Sequence, residues 1–280
     1  WDSFDELVIV PDGLLWYLPF EALQVPVGDS TVPLASKIRI RYAPTVGLSL
    51  PDGRGREPAP PTAIVAGQLF PRDDQQQAIN AAEDIQAVIR NTFTLADPLP
   101  ATTGLQKTVW DQLIVLDDVD DRSMANYLWS PAQIDGGKAG SRLADWFTLP
   151  WGGPETVVLP GFHTPAENSL KRGADGNEVF LSLCALMASG SRTVLISRWR
   201  TGGQTSYDLV REFVQELPRT SASAAWRRSV LLARSAEIDT EREPRIKLGP
   251  DDDLLRSDHP FFWSGYMLID TGTQPKRGAE

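Results

Sequence analysis

Three side chains could build a thiol–imidazole pair: Cys184, His163 and His259. In such a pair a thiolate attacks a carbonyl carbon while an imidazole handles the protons. One cysteine and two histidines leave few ways to assemble it. The same scarcity excludes an internal disulfide and leaves no ligand set for a multi-Cys or multi-His zinc site. Cys184 sits among Leu181, Leu183, Leu186 and Met187. In that setting a cysteine is expected to be a small, inert core residue. His163 is followed by Thr164 and, further on, Ser169. A hydroxyl nucleophile there would need a placed base and an orienting group, and the sequence marks neither. His259 stands before Pro260 and reads as a turn-capping or packing residue.

Carboxylates offer a second chemistry. The run Asp117-Asp118-Val119-Asp120-Asp121 could hold Ca²⁺ or Mg²⁺ for a metal-dependent hydrolysis. It lacks the mid-loop glycine and closing glutamate of a calcium-binding hand, and its plainest form is a solvated acidic loop. Asp251-Asp252-Asp253 reads the same way. Gly136-Gly137-Lys138-Ala139-Gly140-Ser141 misses the spacing of a phosphate loop and reads as a surface loop. No His-Glu-x-x-His or Gly-x-Ser-x-Gly occurs. No cofactor or resident metal is expected.

These residues need elements to position them. Leu7–Val10, the turn Pro11-Asp12-Gly13 and Leu14–Leu18 read as a β-hairpin. Ile38–Tyr42 alternates apolar and basic residues, as a half-exposed strand would. Gly47–Leu50 suits a short helix, and the Pro/Gly-rich residues 51–61 a loop. Buried-type strands are expected at 63–66, 113–116, 157–159 and 193–197, with others at 93–95 and 261–270. Helical spacing predicts helices at 79–90, 103–109, 177–189, 207–217 and 222–236. Arg227, Arg228 and Arg234 should form the solvated face of the last helix, opposite Trp226, Val230 and Leu231. Strands alternating with helices argue for a mostly parallel sheet covered on both faces.

Composition narrows the function. The chain has 37 acidic and 27 basic residues, a net charge of −10. That argues against a nucleic-acid binder, which would show a basic face. No apolar stretch reaches the ~20 residues of a membrane helix. The first residues lack a signal peptide's basic start, so a cytoplasmic location is expected. The chain starts at Trp1 and is expected to be the C-terminal part of a longer protein, folded as one domain over 1–280. Trp110, Trp129, Trp146 and Trp151 cluster in one segment. Packing is the simpler use of these tryptophans, although tryptophan is also favoured in partner surfaces.

Four blocks carry a family resemblance. They are the segment Leu7 to Leu23, Thr156 to Thr164, Asp175 to Trp199, and His259-Pro260-Phe261-Phe262-Trp263. In this order they resemble the CHAT domains, caspase-like clan CD cysteine peptidases often found behind helical repeats. The resemblance implies a caspase-like three-layer α/β sandwich: a central, mainly parallel sheet with helices on both faces, plus the N-terminal β-hairpin. Trp16, Trp199 and Trp263 fall in these blocks as core or cleft-wall aromatics. The family's nucleophilic cysteine falls on Phe162, and a phenyl ring is no nucleophile. Its histidine falls in the region of Asp117, Asp118, Asp120 and Asp121. A carboxylate of ordinary pKa (~4) is a poor base at neutral pH.

In an open α/β sheet the working crevice lies beyond the carboxyl ends of the strands. That puts the Asp117–Asp121 run and the cleft candidates Gly161, Phe162, His163, Thr164 and Trp199 at one edge. The resulting expectation is a catalytically inactive pseudopeptidase that acts as a protein-interaction or regulatory module. Its partner would be a protein or peptide, or helical repeats upstream in the same chain, with no nucleic-acid or membrane partner. The alternative is a hydrolase of another class in the same cleft. It would use a hydroxyl nucleophile near His163 or a metal at Asp117–Asp121.

Overall fold

A computed structural model describes residues 3–51, 61–70, 72–95, 110–120, 154–163, 176–247 and 256–272. Among these residues an eight-stranded sheet has the order β1-β4-β12-β11-β9-β7-β5-β6. Five strands run side by side in one direction: β5 (Thr62–Ala66), β6 (Thr92–Leu95), β7 (Gln112–Leu116), β9 (Thr156–Leu159) and β11 (Thr193–Ser197). Beyond them β12 (Tyr266–Asp270) lies antiparallel to β11. β4 (Arg39–Tyr42) and β1 (Glu6–Ile9) then run parallel to β12. The reversal has a simple cause. One crossover helix brings the chain back to its starting edge and yields a parallel neighbour. Two packed helices, α4 (Gln204–Glu216) and α5 (Ala222–Ser235), separate β11 from β12. The chain therefore re-enters from the opposite edge.

Strand side chains alternate between two cores, as their period of two requires. Ala63, Val65, Leu113, Val115, Val157, Leu159, Val194 and Ile196 share one core with Val179, Leu183 and Leu186 of α3 (Asn177–Ala188). Ile64, Ile114, Leu116, Val158 and Leu195 share the other with α2 (Gln75–Val88), α4 and α5. A strand covered on both faces has no polar side, which explains the continuous apolar runs in the sequence. The mixed α/β sandwich, helices on both faces, is the architecture observed.

Local differences have local reasons. Residues 14–18 do not pair with β1. Gly13–Tyr17 forms a 3-10 helix that buries Trp16 and exposes Leu14 and Leu15. β1 instead pairs in parallel with β4, Leu7 opposite Ile40. The N-terminal antiparallel hairpin is later, between β2 (Gln24–Val27) and β3 (Ser30–Pro33). Its two-residue turn begins at Gly28, whose φ of +59° suits glycine. β4 is interior, not half-exposed. Arg41 is buried, bonded to Glu6 at 2.8 Å and to the carbonyls of Ser49 and Asp270. Helix α2 starts earlier than its apolar spacing suggests, because the Asp74 side chain caps it by accepting from Gln76 N. The last strand starts only at Tyr266, because Pro260–Phe262 forms a 3-10 turn capped by the His259 ring.

The basic face of α5 is only partly solvated. Arg227 donates to the carbonyls of Ala35 and Ser36, which brackets α1 (Leu34–Lys37). Arg234 bonds Ser36 Oγ and stacks on Trp263. Arg228 alone of the three is mostly exposed, 3.7 Å from Glu216. The expected helix at 103–109, most of the 51–61 loop and the runs 136–141 and 251–253 lie outside the described residues.

Candidate functional site

Parallel strands end together, so their exit loops share one edge of the sheet. Those loops are Gly67–Phe70 after β5, Asp117–Asp118 after β7, Pro160–Gly161 after β9 and Arg198–Arg200 after β11. A short second ribbon joins two of them. Val119–Asp120 (β8) pairs in parallel with Phe162–His163 (β10), Phe162 opposite Val119 and His163 opposite Asp120. The two loops approach so closely that a Cβ on Gly161 would lie 2.0 Å from the Asp117 carbonyl oxygen. Only glycine fits there.

The acidic run does not behave as one loop. Asp117 Oδ1 accepts from the backbone N–H of Gln68 at 3.0 Å and of Asp118 at 2.9 Å. It ties the β5 and β7 exits together. Asp118 turns to other partners. Its Oδ1 is 2.8 Å from His163 Nε2, and its Oδ2 accepts from Arg200 Nη2 at 3.1 Å. Arg200 Nη2 is also 3.0 Å from His163 Nε2. Of these two contacts to the imidazole nitrogen only that of Arg200 has hydrogen-bond geometry, and among the described residues Asp118 Oδ1 accepts no hydrogen bond. Both aspartates are half-buried rather than solvated. The side chain of Asp120, and Asp121, lie outside the described residues, as do Thr164 and Ser169.

Phe162 is 1% exposed and packs in the α3-side core. Its carbonyl accepts from Ser197 Oγ, which also bonds the Pro160 carbonyl at 2.7 Å. Thr201 Oγ1 bonds the same Pro160 carbonyl at 2.6 Å. The loop is thus held from the β11 side by two hydroxyls, with a core phenyl ring at its centre. His163, 6% exposed, is held beside it. Cys184 lies on α3 and not on this loop. It is half-buried rather than fully in the core, and burial pushes its thiol up, away from the reactive thiolate.

Residues 141–271 match the CHAT domain model. This CHAT match spans β9 to β12, and so contains the Phe162–His163 loop and the Trp199–Arg200 exit. It covers just under half of the chain and begins after the Asp117–Asp121 run. No curated protein matches the sequence. Among the described residues no group of three or more His, Cys, Asp or Glu side chains could hold a metal. Asp118 explains part of that, since a guanidinium already occupies the space where a cation would sit.

Beside the Pro160–His163 loop lies a pocket of about 530 Å³. Trp199 forms one wall, with Phe70 and Phe261. Arg72, Arg200, Arg245 and Lys247 supply four positive charges. Two buried carboxylates build the frame. Asp73 accepts from Phe70 N at 3.1 Å and Gly203 N at 3.0 Å. Glu243 accepts from the N–H and hydroxyl of Thr205. Both act at the start of α4, where negative charge is favoured, and they draw the 70–73 and 243–247 segments around the pocket. Burial pushes both carboxyls above their usual range.

Sequence reasoning reached Trp199 but not the four cations. Two signals were available: Arg200 directly follows Trp199, and Arg242, Arg245 and Lys247 stand close together in a chain of net negative charge. The segment 110–151 offers less. Trp110 is buried, its ring centroid 6.3 Å from that of Phe93, and Trp129, Trp146 and Trp151 lie outside the described residues.

Proposed function

We propose that this is a non-catalytic, peptidase-like CHAT domain that works by binding, as a protein-interaction or regulatory module. The observation that carries this reading is the state of the β9 exit. A cysteine peptidase needs a solvent-reachable thiolate there, and the position holds a phenyl ring buried in the core. The thiol of Cys184 belongs to another element and is pushed toward its neutral form. The sheet edge is nonetheless built with close tolerances, which a frame with no remaining task would not need.

One observation favours a second reading. Asp118 Oδ1 lies 2.8 Å from His163 Nε2, and a carboxylate beside an imidazole orients a general base once the two are hydrogen-bonded. With a hydroxyl from the 164–169 segment it would make a hydrolase. Arg200 counts against this, because it competes for the same imidazole nitrogen.

The deciding experiment presents a mixed peptide library to the purified chain, alongside a thiol-directed and a fluorophosphonate probe. Saturable peptide binding without cleavage, and without labelling of the 161–169 loop, is expected. Turnover that disappears in His163→Ala would replace the first reading with the second. Binding of no peptide would leave the interaction reading without its basis.

A further inference from the structure

The pocket behind Trp199 is the feature that the non-catalytic reading does not use. We propose that it is a binding site for a phosphorylated ring compound of nucleotide type. This inference does not depend on whether the domain is catalytic.

Charge is the first argument. The chain carries ten more acidic than basic residues, yet four cations line this one pocket. Among the described residues, Asp118 is the only carboxylate in a direct ion pair with any of them, and it engages Arg200 alone, while the buried Asp73 and Glu243 act electrostatically on Arg245. Both contacts of Arg200 use Nη2, so Nη1 remains for another acceptor. Four cations exceed what one side-chain carboxylate requires, and they suit the two to four charges of a di- or triphosphate.

The walls are the second argument. Phe70, Trp199 and Phe261 line the pocket with aromatic rings, and the Arg245 guanidinium covers the Phe261 ring at 4.4 Å. Flat bases stack on aromatic rings and on guanidinium planes of this kind. The volume lies within the range of small-molecule sites. Position agrees as well. From β5 the chain goes outward to β6 and then returns to β7 on the other side. Such a switch in strand order opens a crevice at the carboxyl ends, where α/β sheets bind ligands. Phe70 and Arg72 follow β5, at that switch.

Calorimetry on the whole chain tests the assignment, with ATP, inorganic pyrophosphate, adenosine and a Glu/Phe-rich acidic peptide as separate titrants. ATP should bind, more tightly than pyrophosphate or adenosine alone, and added salt should weaken it. Arg72 and Lys247 are exposed, so Arg72→Gln/Lys247→Gln removes two charges without disturbing the core. It should weaken ATP about tenfold or more, while Arg219→Gln in the turn after α4 changes nothing. The proposal is overturned if ATP does not bind, if the double variant binds it unchanged, or if pyrophosphate binds as tightly. It is also overturned if the acidic peptide binds in place of ATP and loses affinity in the double variant. Peptide binding that the double variant leaves intact belongs to the interaction reading and leaves this one standing.

Discussion

Arg198 and Arg200 stand two residues apart on the segment leaving β11, and the fold uses them in opposite ways. The Arg198 side chain is fully buried and pairs with Glu21, itself 4% exposed. Its Nη2 reaches both Glu21 oxygens and the Tyr42 hydroxyl, and its Nη1 donates to the carbonyls of Ser264 and Tyr266. Arg200 is about a quarter exposed and uses one nitrogen, shared between Asp118 and His163. The same side chain is a bolt in one place and an available charge in the other. What separates them is burial together with the number of acceptors already engaged. Arg198 joins the N-terminal segment to β4 and β12 across the antiparallel joint. Arg200 faces the pocket at the carboxyl edge.

Removing the buried charge should give the largest effect. Arg198→Met leaves Glu21 buried without its counter-charge and removes the donor to three further partners, the Tyr42 hydroxyl and the Ser264 and Tyr266 carbonyls. Breaking a buried pair in this way costs about 3–5 kcal/mol. A urea titration should show the loss as a lower midpoint at unchanged slope. The double variant Arg198→Met/Glu21→Leu should recover much of it, since a well-packed apolar pair replaces a buried ion pair at little penalty. A single variant within about 1 kcal/mol of the parent would erase the distinction drawn here.

The same contrast marks what could be read from sequence. Strands that end on uninterrupted apolar residues, such as Ala63 to Val65 and Leu113 to Leu116, declared themselves, because a strand buried on both faces has no other composition. Helices α3, α4 and α5 followed from apolar spacing to within a few residues. The opening region misled for a physical reason. Pro11-Asp12-Gly13 suits a hairpin turn, but the chain can also wind into a 3-10 helix, and burial of Trp16 decides between them. Arg41 was expected on the open side of a half-exposed strand because nothing local shows that Glu6 comes to meet it, and nothing local to Arg198 announces Glu21. The pocket was invisible for the same reason. Its cations come from three separate segments, which only the closed sheet edge brings together.

Buried carboxylates that no guanidinium hydrogen-bonds directly sharpen the comparison at intermediate scale; Arg245 and Arg41 act on them only from nearby. Asp73 and Glu243 rest mainly on backbone N–H and hydroxyl donors, and Asp270 on Thr193 Oγ1 and Gly272 N. Burial is the leading cause that raises all three carboxyls. Their folded pKa values therefore exceed the unfolded values of about 4. As pH falls, the folded state takes up these protons first. Their contribution to stability is complete below the unfolded pKa and is lost as pH rises through the folded one. Thermal melts should show the midpoint rising as pH is lowered from neutrality toward the unfolded carboxyl range of about 4. Asp73→Asn should flatten that slope without inverting it. A midpoint that falls steadily over this range would mean that these groups do not control the titration.

The smallest effect on stability should come from Arg200. Its pair with Asp118 keeps some access to water, about a quarter exposed on each side, so the attraction is partly screened and water can replace much of what the partner supplies. Exposed pairs of this kind contribute about 0–1 kcal/mol. In Arg200→Gln, Asp118 keeps His163 within 2.8 Å and gains water in place of the guanidinium. The urea midpoint should therefore move little while affinity for an anion in the pocket falls. The two readouts must separate for the contrast with Arg198 to hold. A loss of stability as large as that of Arg198→Met would make Arg200 a second bolt, and the Asp118–His163–Arg200 cluster would then be part of the frame. If only the ligand affinity moves, the charge of Arg200 is held in place by the fold but is not needed to maintain it, and that is the condition for a group whose task is to meet something from outside.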